Sequence, residues 1–156
     1  MIILGLRTDK PEAELYLYDG QKKLAGKKWQ AHRELAETIH KQVDKILNPG
    51  TKNSKLHNPI TDYSAQVLVR GKQVNYKYSL SDIKGIVCFK GPGSFTGLRI
   101  GLSVANALAY ANKIPIVAQC GNDWLEKGIV NLQAGKNDKA ALPHYDRPAA
   151  TTLPRK

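Results

Sequence analysis

The chain has 156 residues, of which 42% are hydrophobic and 24% charged, enough for one ordinary globular core, or one core plus a ragged tail, with one domain as the default. Its 24 lysines and arginines against 13 acids give a formal net charge of +11, a field that favours anionic partners and weakens with salt. The lysines are scattered rather than interleaved with aromatic residues, so charge alone does not describe a base-stacking surface; Cys88 and Cys120 lack the spacing of a zinc module and read as reduced core residues.

The opening Met-Ile-Ile-Leu-Gly-Leu has no basic region and no small-residue cleavage site, so it reads as a first strand over 2–6 and not as an export signal. A second strand over 13–18 alternates Leu15 and Leu17 with Tyr16 and Tyr18; Asp19-Gly20 supplies a tight turn, and a third strand follows over 22–29. From 31 to 47 the period changes to that of a helix, with Leu35, Ile39, Val43, Ile46 and Leu47 on one face, until Asn48-Pro49-Gly50 stops it. Residues 51–62 are polar, and 65–78 alternate around Arg70-Gly71-Lys72 as a second hairpin. An apolar run over 83–89 suits a buried central strand. A helix over 95–112, a strand over 114–118 and a short helix over 123–133 follow. The stretch 134–156 is polar and proline-bearing, with little power to bury itself. The apolar-rich segment 100–111 is interrupted by Ser103 and Asn106 and is shorter than the roughly 20 residues a bilayer requires. No membrane association is expected, and the expected compartment is the cytoplasm.

Chemistry concentrates in the turn from Gly91 to Gly101. Unpaired amides at a helix N-terminus carry the positive end of the dipole, so Gly91, Gly93, Ser94, Thr96 and Gly97 can cradle a phosphate, with Arg99 close behind. The same residues also fit a sharp strand-to-helix turn capped by Ser94. Neither G-x-G-x-x-G nor the P-loop Gly-Lys-Ser/Thr is present. Further on, Gly97, Gly101, Ala105 and Ala109 recur every four residues as a smooth strip, which either packs on the chain's own sheet or admits a partner helix. With Leu98, Leu102 and Leu108 available for the sheet, the strip is expected to be spare.

Gly-Pro-Gly-Ser-Phe-Thr-Gly-Leu-Arg-Ile-Gly, followed by an alanine-rich helix and Lys-Ile-Pro-Ile-Val, closely resembles the segment that marks the TsaB (YeaZ) family. The likeness covers residues 1–47 and 80–128, and Pro143-His144-Tyr145-Asp146-Arg147 resembles that family's C-terminal ending. It implies an α/β fold: an actin-like ATPase (RNase-H-like) lobe over 1–128, with a mixed five-stranded sheet and two long helices. An insertion at 49–79 would interrupt the lobe, and a tail over 129–156 would be the remnant of a truncated second lobe. It further implies a non-catalytic scaffold in the complex that forms threonylcarbamoyladenosine on tRNA. The chain would be a homodimer when alone and would bind a TsaD-type catalytic subunit beside a TsaE-type ATPase, with tRNA met only indirectly. His32, Leu35, Ile39 and Val43 on the first helix, with Gly97, Gly101, Ala105 and Ala109 on the second, would form the interface, and the 91–99 turn would shape the joint. No cofactor is expected on the chain alone, with ATP or ADP at the interface with the partner.

One departure bears on activity. Where the family begins with an Asp-Thr-Ser-like turn, this chain reads Arg7-Thr8-Asp9, so a cation stands at the position of a magnesium-facing acid and metal-assisted phosphoryl transfer is not expected. A nuclease of this fold would need that acid as well. A metalloprotease would want two histidines one helical turn apart, whereas His32 and His40 are eight residues apart and all four histidines read as surface residues. The remaining rivals are a small nucleotide-binding regulator of actin-like fold and a tRNA-binding module.

Overall fold

The computed structural model of the protein describes residues 1–48, 67–69, 72–74 and 78–146. Strands β1 (Ile2–Arg7), β2 (Glu12–Asp19) and β3 (Lys22–Gln30) form an antiparallel meander, with Gly20 at φ 57° in the tight turn. After a 3-10 turn over His32–Glu34, helix α1 runs over Leu35–Leu47; the expected helix therefore starts four residues late as a regular α-helix. Strands β4 (Val67–Val69) and β5 (Lys72–Val74) pair antiparallel as a separate two-stranded sheet. That bears out the second hairpin, although its Arg70-Gly71 turn and residues 49–66 lie outside the described residues.

Strand β6 (Ile83–Phe89) and helix α2 (Phe95–Asn112) have the expected bounds. Strand β7 (Ile116–Gln119) begins two residues later than expected, because Lys113 closes α2 in the left-handed conformation at φ 53° and Pro115 follows directly. Helix α3 spans Trp124–Gln133. The sheet order is β3-β2-β1-β6-β7, with β6 parallel to both β1 and β7, a mixed five-stranded sheet of the expected kind.

Strand alternation divides the core between two faces. Leu4, Leu6, Leu15, Leu17, Ile86 and Cys88 point towards α1 and α2, whereas Ile3, Val87, Phe89 and Val117 meet Trp124, Ile129 and Leu132 of α3. Each fully buried Leu or Ile contributes about 1.5–3 kcal/mol, and both layers are continuous across the β1–β6 centre. Cys88 belongs to this core, and burial pushes its thiol pKa up; Cys120 is only half-buried, so the reading of both cysteines as core residues holds for the first alone.

The segment after α3 departs from expectation. Residues 137–145 form a strap tied to the lobe by polar side chains. Asn137 Oδ1 accepts from the Ile116 amide at 3.2 Å and Asp138 Oδ2 from the Ala118 amide at 2.9 Å, which satisfies the outer edge of β7. Asn106 of α2 then clamps Ala141 from both sides, donating to its carbonyl at 2.9 Å and accepting from its amide at 2.7 Å, and Ala141 is buried. Hydropathy does not register such anchoring, because the stabilising groups are amides and carboxylates bonded to backbone.

Candidate functional site

The glycine turn between β6 and α2 is built around the end of β1. Ser94 caps α2 by accepting from the Gly97 amide at 3.3 Å, and its own amide donates to the Asp9 carbonyl at 2.9 Å. The hydroxyl of Thr8 donates to the Gly97 carbonyl at 2.8 Å. The backbones approach so closely that a Cβ at Gly97 would collide with the Thr8 carbonyl, and one at Gly101 with the Thr8 side chain. On the other side, the Gly91–Pro92 peptide is cis, Gly91 has φ 125°, and the His144 amide donates to the Lys90 carbonyl at 2.6 Å. The strap thus closes one flank of the turn and the β1–β2 connection fills the other.

Thr8 and Asp9 are buried polar residues, and Asp9 is neutralised locally. Arg7 Nε donates to Asp9 Oδ1 at 2.6 Å and a terminal guanidinium nitrogen donates to Oδ2 at 3.1 Å, a two-point pair. The guanidinium carbon lies 4.0 Å from the centroid of the Phe89 ring. The hydrogen bond to Asp9 outweighs burial and holds the Arg7 pKa above its ordinary value, with the charges of Asp9 and Glu14 adding to it. At the strand end where a metal-facing acid was sought, the chain carries a cation tied to its own carboxylate. Among the described residues no group of three or more His, Cys, Asp or Glu is placed to hold a metal ion.

The sequence-based site is therefore brought together only in part. Gly93, Ser94 and Gly97 converge with Thr8 and Asp9, Gly91 instead abuts the strap at His144, and Thr96 and Arg99 point outward from the first turns of α2. The small-residue strip is not spare: Gly101, Ala105 and Ala109 are buried, the first against Thr8 and the other two within the core shared with α1. Leu35, Ile39 and Val43 are likewise core residues of α1, because its one apolar face covers β2 and β3. These positions cannot face a partner while the lobe is folded. His32 has no described side chain, His57 lies outside the described residues, and His40 and His144 are exposed as expected.

What α2 does present outward was missed in the sequence. Arg99, Ser103, Ala107 and Tyr110 are exposed along one ridge, Tyr110 at 88%, flanked by half-buried Ile100, Val104 and Leu108. The spacing of these exposed positions, every three or four residues, was the available signal. Its small and polar members hid it beside the more regular glycine–alanine strip.

Sheet order, the α1–α2 layer and the β1-anchored glycine turn define a lobe of the actin-like, RNase-H-like class. YeaZ from Pseudomonas aeruginosa shares the fold at a TM-score of 0.56 and 21% identity, the match covering 81% of this chain and 50% of that one. The family model for TsaD, tRNA N6-adenosine threonylcarbamoyltransferase, matches residues 51–125, running through the stretch that the motif-based resemblance left uncovered. The tRNA threonylcarbamoyladenosine biosynthesis protein TsaB of Escherichia coli is 33% identical over 74 residues, 46% of this chain and 32% of that protein. The tRNA N6-adenosine threonylcarbamoyltransferase of Nitrosomonas eutropha is 32% identical over 119 residues, 75% of this chain and 32% of that protein. The chain is thus a TsaB/YeaZ-like protein sharing its fold with TsaD, and it spans about a third of the length of these two curated relatives.

Proposed function

We propose that this chain is a non-catalytic docking subunit in the formation of threonylcarbamoyladenosine on tRNA, binding a TsaD-type catalytic subunit through the outer ridge of α2. The observation that carries this reading is that ridge: Arg99, Ser103, Ala107 and Tyr110 are exposed, and no Asp or Glu occurs between Asp82 and Asp123. Small side chains let a second helix approach closely, while tyrosine and arginine supply the anchors typical of interface centres. On the neighbouring helix α1, Ala36, His40 and Lys41 are also exposed.

The Arg7–Asp9 pair supports a non-catalytic role, because a guanidinium at the end of β1 repels a divalent cation and occupies the neighbouring carboxylate. The internally bonded Ser94 and Gly97 amides count against the nucleotide-regulator alternative, since two of the turn's donors already have partners. ATP or ADP, if used, belongs to the joint with the catalytic partner. Size-exclusion chromatography with light scattering tests the proposal: a mixture with a TsaD-type subunit should elute as one complex. Separate elution with every such subunit, or ATP turnover by the chain alone, would refute it.

A further inference from the structure

The five-stranded sheet ends in β3 on one side and β7 on the other, and the two edges are protected in different ways. Strand β3 carries Lys22, Lys23, Lys27 and Lys28 and a register shift opposite Leu17 and Tyr18; charge and a bulge together keep an open edge from pairing with a second sheet. Strand β7 has neither. Its residues Ile116–Gln119 contain no charge, and the first three are buried. What meets its outer backbone comes from the strap: Asn137 Oδ1 and Asp138 Oδ2 accept from the Ile116 and Ala118 amides, and the Asp138 amide donates to the Ile116 carbonyl at 2.9 Å. Both side chains are held in place for this, Asn137 Oδ1 by the Lys139 amide at 2.9 Å and Asp138 Oδ1 by Lys136 Nζ at 3.6 Å.

We propose that Asn137 and Asp138 form an autoinhibitory edge lock, which occupies the outer side of β7 and keeps it from pairing with the β7 of a second copy of this chain. The edge fits that occupant. In an extended strand the N–H and C=O of one residue face the same side, so Ile116 and Ala118 both turn outward while Val117 pairs inward with β6. Two copies related by a two-fold axis at Val117 set Ile116 of one against Ala118 of the other, each pair exchanging both hydrogen bonds in the antiparallel manner. An uncharged edge puts no repulsion between identical copies, whereas the lysines of β3 would. The lock can lift without unfolding the lobe, because Asn137 is exposed and the Lys136–Asp138 pair is weak at the surface. Beyond it the strap stays fastened by Asn106 at Ala141 and by Tyr145 stacked on Phe95, their ring centroids 4.5 Å apart. This edge uses no residue of the outer ridge of α2, so the inference stands apart from the docking proposal.

The test uses the full chain with no other subunit. Asn137→Ala combined with Asp138→Pro removes both side-chain acceptors and the Asp138 amide. With rising concentration, analytical ultracentrifugation of this variant should show a particle of about twice the wild-type mass. Hydrogen exchange at the Ile116 and Ala118 amides should be fast in dilute solution and slow again when concentrated, whereas in the wild type both stay slow throughout. Asn137→Ala with Asp138→Ala takes the place of the proline variant if the latter fails to fold, and is read in the same way. A variant whose mass follows the wild type at every concentration would overturn the lock. A doubled mass with the two amides still fast would overturn it as well, since association would then use another surface. Amides that stay slow in the dilute variant would show that these side chains do not guard the edge.

Discussion

The hydroxyl of Thr8 donates to the carbonyl of Gly97 at 2.8 Å, and the same side chain lies where a Cβ on Gly101 would have to go. One residue at the end of β1 thus fixes both the pitch of the glycine turn and the distance of α2 from the sheet. The glycine–alanine strip exists for this approach within the chain.

Gly101→Ala is therefore expected to destabilise the fold by about 1–3 kcal/mol through overpacking, measured as a lower urea midpoint with unchanged slope. Combined with Thr8→Ala, its cost should be smaller than the sum of the two single losses, since the two side chains compete for one space. Strict additivity would show that the helix yields instead.

Arg7→Met should cost about 3 kcal/mol, because it leaves the buried Asp9 carboxylate, 4% exposed, without its cation. Adding Asp9→Leu should recover much of that loss, since no charge is then left unpaired. Chemical denaturation of the two variants decides it, and an Arg7→Met protein as stable as wild type would show that the pair contributes nothing.

Asn106→Ala should free the strap. Loss of two hydrogen bonds that hold a buried backbone segment is worth about 1–3 kcal/mol, and amide exchange should speed up at Ala141 and at the Ile116 and Ala118 edge more than in β1. Uniform acceleration across all strands would mean global destabilisation rather than release of the strap.

Elements with a clear apolar pattern were legible in the sequence: α1 from Leu35, Ile39 and Val43, and β6 from an apolar run interrupted only by the exposed Lys84, the bounds of β6 agreeing with the structure. The glycine turn was legible as a strand-to-helix joint. The identity of the residues filling it was not, because Thr8 and Asp9 are 89 and 84 positions from Gly97 and Gly93, and polar residues give no hint of burial before their partners are known. The strap was misread for the same reason, its anchors being side-chain amides and carboxylates bonded to distant backbone. The helix faces were exchanged: small residues signal close approach, but sequence does not say whether the approaching group belongs to the same chain.

The central claim, that α2 docks through its outer ridge while its small-residue strip stays internal, is tested most directly by titrating a TsaD-type catalytic subunit with wild-type chain and with Tyr110→Ala in a calorimeter. Loss of an exposed aromatic anchor should weaken binding by about 2 kcal/mol, roughly 30-fold, while the melting temperature of the free chain stays unchanged, because Tyr110 is 88% exposed and supports no core contact. An unaltered isotherm for Tyr110→Ala, together with lost binding only in variants that also lower the melting temperature, would contradict it.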